Sequence, residues 1–143
     1  MELGITIKVI WSDEDLIEIL FSCSNGYFAG HAEIYLSHDK TSELAEALSG
    51  FPTSATDSRD LELGTFNPTH ADGGAHMRFS CLDSIGHAQV VVKLRGGACK
   101  GLGEPESVAL RIPVEAAAID FFVRQLKAMD TASGASAHLT MAK

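Results

Sequence analysis

Apolar and polar residues alternate through most of this chain, and the alternation marks strands. From Leu3 to Ile10, the side chains of Leu3, Ile5, Ile7 and Val9 fall on one side. After the polar stretch Trp11 to Asp15, the run Leu16 to Cys23 alternates again, and Asn25-Gly26 separates it from a third run, Tyr27 to Ser37. Asn-Gly suits a type I′ turn, in which both central residues take positive φ. A two-residue loop there pairs Cys23 with Phe28, Phe21 with Gly30, Ile19 with Ala32 and Ile17 with Ile34. Continuing the same face, Val9 meets Ile17, Ile7 meets Ile19 and Ile5 meets Phe21. A second hairpin, His76 to Arg95, turns at Asp83 to Gly86 and pairs Cys81 with Ala88, Phe79 with Val90, Met77 with Val92 and Ala75 with Leu94. A slip of one residue would turn either apolar set to water, so burial specifies the faces.

Between the hairpins, Asp39 to Ser49 reads as a helix. Asp39 or Thr41 can cap it, Leu44, Ala45 and Leu48 make its apolar stripe, and Gly50 before Phe51-Pro52 stops it. Leu61 and Leu63 mark a further strand that ends at Asn67-Pro68. Glu106 to Ile112 is the last strand, and Pro113 fits the first turn of a helix, where a missing N–H costs nothing. Val114, Ala118, Phe121, Phe122, Leu126 and Met129 then recur at helical spacing. No internal repeat stands out. The order β-β-β-α-β-β-β-β-α implies an α+β fold, an antiparallel sheet of about seven strands whose apolar face two helices cover. Residues 1–130 form a single domain, and the Ala/Ser/Gly-rich stretch 131–143 reads as a flexible tail.

Composition narrows the partners more than the fold. At 143 residues with 45% hydrophobic and 21% charged positions, the chain is globular and suits one domain. Lysine and arginine number 11 against 19 acids, a net charge of −8. That argues against nucleic acid, which needs clustered cations, and is compatible with a solvated acidic surface or with steering towards a basic partner. The start lacks the basic and apolar regions of a signal peptide, and no apolar run approaches the roughly 20 residues that span a bilayer. The three cysteines show no paired spacing. These features imply a cytoplasmic protein that does not engage membranes.

Catalytic motifs are weak. The glycine-rich stretch Gly96 to Gly103 lacks the Lys-Ser/Thr ending and following helix of a phosphate loop. His70, Asp72 and His76 carry metal-ligating groups without a closing fourth ligand. The hairpin register also separates His76 from His87 by about 20 Å, too far for one ion. No metal and no cofactor is therefore expected. Ser84 with His87, and Cys99 on its loop, lack an orienting third group. More informative is the outer face of the first meander. The expected register opposes Glu18 to Glu33, Leu20 to His31 and Leu16 to Tyr35, with Tyr27 near the turn and Trp11 on the adjoining loop. Acidic and aromatic side chains without a core role suit a protein interface.

The segments Leu44 to Pro52 (LAEALSGFP), Gly86 to Arg95 (GHAQVVVKLR) and Ile112 to Leu126 give the chain, from about Asp15 to Met129, a resemblance to small bacterial families that include the WapI-like immunity proteins. The resemblance implies a strand meander and helix followed by a second meander and helix, and no catalytic residues. For the WapI-like group it implies neutralisation of a cognate toxin by binding. Two functional classes follow. The first is a non-enzymatic, immunity-type antitoxin that binds a basic toxin through Glu18, Glu33, Tyr35, His31, Tyr27 and Trp11. The second is a small enzyme or ligand-binding domain that uses the loops 67–76 and 96–104, with His70, Asp72, His76 and Cys99. A homodimer is left open.

Overall fold

A computed structural model describes residues 2–65, 73–96 and 106–143. The elements are β1 (Gly4–Ser12), β2 (Leu16–Ser24), β3 (Ala29–Ser37), α1 (Lys40–Leu48), β4 (Ser58–Gly64), β5 (Gly74–Cys81), β6 (His87–Arg95), β7 (Ser107–Glu115), α2 (Ala116–Ala128) and β8 (Ser136–Thr140). The α+β class holds. The single sheet of about seven strands does not, because the strands form two four-stranded antiparallel sheets, β3-β2-β1-β8 and β4-β5-β6-β7. Each sheet is apolar on one side, and the two apolar sides share one core with Leu44 and Leu48 of α1 and Ile119, Phe122 and Leu126 of α2. The edge strand β3 lies against all four strands of the second sheet. Gly30 permits that approach, since a Cβ there would stand 2.9 Å from Val108 Cγ1.

The second hairpin pairs as expected, residue for residue. The first is displaced by two positions, so Cys23 faces Gly30, Phe21 faces Ala32, Ile19 faces Ile34 and Ile17 faces Leu36. Asn25 causes the displacement. Its side-chain oxygen accepts the N–H groups of Tyr27 and Phe28, each at 2.9 Å, and its own N–H donates to Phe28 O at 3.1 Å. The asparagine thus builds a longer loop instead of a two-residue turn. Val9 likewise faces Ile19 rather than Ile17. Both shifts are even, so the inward face is unchanged.

Three boundaries also move. Pro113 lies in β7 opposite Gln89, not in a helix. The strand is an edge, where proline removes no needed ladder donor. Within α2, Ile119, Phe122, Val123 and Leu126 are buried, whereas Phe121 is 56% exposed. Residues 136–140, expected within a tail, form β8 alongside β1, with Ala137 and Leu139 buried. Gln125 ties down this strand, accepting from His138 N–H and donating to His138 O, both at 2.9 Å.

The strand orders disclose a duplication that the sequence hides. Written β3-β2-β1-β8 and β7-β6-β5-β4, the sheets are built alike by two successive βββαβ units. The last strand of each unit joins the sheet of the other: β4 pairs with β5, and β8 pairs with β1. The registers agree position by position except at the end of β1, where a shift follows Val9. Ile7 lies between Phe21 and Ala137, as Met77 lies between Val92 and Leu61. Eight residues after the buried Leu36 and Val114 come Leu44 and Phe122, and the buried sets Thr41, Leu44, Ala45, Leu48 and Ile119, Phe122, Val123, Leu126 have the same spacing. Even the closing backbone bonds match, Thr65 N to Gly73 O and Met141 N to Leu3 O, both at 3.4 Å.

Candidate functional site

The outer face of the first sheet is built in cross-strand rows. Alternation from Val9 would turn Trp11 inward. A register shift between Val9 and Trp11 instead sets Trp11 opposite Glu18, and Glu18 is in turn opposite Tyr35. A bulge re-aims a side chain in this way, and bulges gather near functional surfaces. The rings of Trp11 and Tyr35 meet edge to face, 6.4 Å between centroids at 81°. They remain 44% and 46% exposed, and Leu16 beside them is 41% exposed. Glu18 is half-buried in the same row, and no ion pair to it occurs among the described residues.

The next row runs Lys8, Leu20, Glu33, and the one after it Thr6, Ser22, His31. Glu18 and Glu33 therefore share a face but are not opposed, which corrects the expected carboxylate pair. Leu20 faces Glu33 rather than His31, and Leu16 faces Ser37 rather than Tyr35. Of the six expected interface residues, Trp11, Glu18 and Tyr35 come together and Glu33 adjoins them. His31 lies farther along, and Tyr27, 91% exposed, projects from the turn beyond it.

The loop joining β1 to β2 is pinned beside the aromatic row. Asp13 Oδ1 accepts the N–H groups of Leu16 and Asp15 at 2.8 Å each, and these bonds hold its carboxyl below the usual range. His38 Nε2 donates to Asp13 O at 2.6 Å, while His38 Nδ1 meets Thr131 Oγ1 at 2.9 Å. The end of the sheet that carries Trp11 is thus fastened to two other segments of the chain.

The alternative loop site is mostly beyond description. His70, Asp72 and Cys99 lie outside the described residues. His76 sits on the outer face of the second sheet, opposite Lys93, with Nε2 3.0 Å from Asp60 Oδ1. No group of three or more metal-ligating side chains occurs among the described residues.

One polar cavity of about 220 Å³ lies where Pro52 to Ala55 meet the β5–β6 turn. His87 Nδ1 pairs there with Asp83 Oδ2, and this hydrogen bond lowers the Asp83 carboxyl pKa and raises that of His87. Cys81 also lines the cavity, its thiol donating to Ser54 O at 3.5 Å. Cys81 opposes the buried Ala88, whereas the next residue along β6 from Ala88 towards the turn is His87, on the opposite face. The imidazole clamps its own turn through Asp83. Cys23 is remote from any such chemistry, since burial raises its thiol pKa to about 11.

Compared with family models, with curated proteins and with solved structures, the chain finds no match. None of the helices among the described residues is long and apolar enough to cross a membrane.

The sequence pattern assigned Glu18, Glu33, His31 and Tyr35 to one face, because parity survives a shift of two. It placed Trp11 in a loop, since nothing in local alternation reports a bulge.

Proposed function

We propose that this chain is a non-enzymatic protein-binding domain, an immunity-type antitoxin that neutralises a cognate toxin by occupying it with the outer face of the first sheet. The observation that carries the reading is the exposed Trp11–Tyr35 pair flanking Glu18. Large aromatic side chains left at a surface serve as interface anchors, and tryptophan and tyrosine dominate such anchors. The net charge of −8 selects a basic partner and steers its approach. A binding protein needs no reactive constellation, and the Asp83–His87 pair has the geometry of a turn clamp.

Affinity capture from the native organism tests this when wild type is run beside the Trp11→Ala/Tyr35→Ala variant. The expected result is a basic protein retained by wild type and lost by the variant. With that protein in hand, Glu18→Lys/Glu33→Lys should slow association, and the wild-type on-rate should fall with salt. A partner retained equally by all three proteins would remove this face from consideration.

A further inference from the structure

Resting on the binding reading, we propose that the Trp11–Glu18–Tyr35 row is the seat for an arginine side chain of the partner protein. The duplicated fold supplies an internal comparison. The equivalent row of the second sheet is Ser80, Gln89, Pro113. The inward positions beside the two rows are Val9, Ile19, Ile34 and Phe79, Val90, Ile112, all buried. Apart from the shift before Trp11, the same strand pairing and the same core thus stand with no aromatic residue and no carboxylate in that row. The fold does not require Trp11, Glu18 or Tyr35; the first sheet alone carries them.

Their chemistry is complementary to a guanidinium. A planar cation stacks on the face of tryptophan or tyrosine, and arginine does so more often than lysine. Glu18 lies in register between the two rings and supplies the counter-charge. Lys8, the nearest lysine on this face by register, stands one row away opposite Leu20 and leaves Glu18 to an incoming cation. In the second sheet Arg111 stands in place of Glu33, while Arg78, in place of Lys8, is paired with Asp60. The first sheet is therefore the one suited to a cationic visitor.

Trp11 is the single tryptophan of the chain, so its emission reports the site directly. Full-length protein is titrated with tetra-arginine, tetra-lysine and a neutral Gly/Ser tetrapeptide at low salt. Tetra-arginine should change Trp11 emission saturably and bind at least about threefold tighter than tetra-lysine, while the neutral peptide does nothing. Glu18→Gln and Tyr35→Leu should each weaken tetra-arginine binding by about fivefold, and Gln89→Ala, in the equivalent row, should not. Circular dichroism checks that each variant is folded. An absent or non-saturating signal, equal affinity for the two cationic peptides, or indifference to Glu18→Gln would overturn the arginine seat. A captured partner lost by the Trp11/Tyr35 variant would still uphold the binding face in that event. Capture that ignores the variant would overturn the face itself.

Discussion

Leu139→Ala tests whether the C-terminal stretch is part of the core. Leu139 is fully buried opposite Ile5 on β1, and its counterpart in the other unit is Leu63, 1% exposed opposite Ala75 on β5. Truncating leucine to alanine removes three carbons from the interior, roughly 2.4 kcal/mol at about 0.8 kcal/mol per methylene. The cavity left behind adds to this, giving about 3 kcal/mol within the usual range of about 2–5. Such a loss is a large part of the roughly 5–15 kcal/mol that holds a domain of this kind together. Urea unfolding followed by far-ultraviolet circular dichroism measures it, with an unchanged slope showing that the same surface unfolds. Leu63→Ala should cost a similar amount, since the two leucines close equivalent sheets. Thr140→Ala, at an exposed position of the same strand, should stay within about 0.5 kcal/mol. A Leu139→Ala loss below about 0.5 kcal/mol beside a full loss at Leu63 would refute strand exchange at the C-terminal end.

Phe79 is fully buried and packs edge to face on Phe51 at 6.0 Å, so Phe79→Ala should cost about 3–5 kcal/mol in the same assay. Arg78, on the outer face with its ion pair to Asp60 at 3.4 Å, should lose less than about 1 kcal/mol as alanine; equal losses would mean the faces are inverted. A thiol reagent at pH 8 should label Cys81 before Cys23, because burial both shields Cys23 and holds it protonated; labelling of Cys23 at the Cys81 rate would contradict its place in the core. The Asp83–His87 pair sets a pH window. Asp83 is lowered from 3.8 by the His87 hydrogen bond, so its contribution is present above that value and lost as pH falls. His87 is raised from 6.5 by the same bond, so its contribution is full below 6.5 and lost as pH rises through the raised value. The Tm difference between wild type and His87→Gln should therefore be larger at pH 5.5 than at pH 8.5; a difference that does not change with pH would show that no charge pair operates.

Where sequence and structure part, the physics of each signal explains it. Alternation reports a face and not a partner, so Ile17, Ile19, Phe21, Cys23, Ala32 and Ile34 were legible as inward while their pairing was off by two, and Phe28, expected inward, lies exposed in the loop. The second hairpin was legible to the residue because Asp83 to Gly86 sets its turn by length. At Asn25, the asparagine side chain competes with the backbone for Tyr27 and Phe28 N–H groups, and a dipeptide rule does not see that competition. Pro113 misled for a similar reason: an edge strand tolerates it as well as a helix start does, and edge position is a tertiary fact. The stretch 136–140 looked free because two buried side chains, Ala137 and Leu139, are too few to make a local pattern. At the candidate site, the shared face of Glu18 and Tyr35 was legible, but their adjacency to Trp11 needed the bulge.

The duplication escaped notice because its two units preserve kind rather than identity. Ile7 answers to Met77, Phe21 to Val92, and Ala45 to Val123, each pair alike only in being buried and apolar. Core positions accept such exchanges when volume is compensated by neighbours, so sequence likeness erodes while topology persists. Outer positions face a different constraint. They contribute little to stability, and either unit can change them freely. A difference between the units at an outer row is thus not something the fold imposes, and Trp11–Glu18–Tyr35 against Ser80–Gln89–Pro113 is a difference of that kind. Exchanging the rows separates the two constraints. Trp11→Ser/Glu18→Gln/Tyr35→Thr should leave the unfolding free energy measured in urea within about 1 kcal/mol of wild type, apart from the small aromatic pair contribution. If that variant unfolds far more readily, the row is structural, and the reading of the first sheet as a binding face loses its main support.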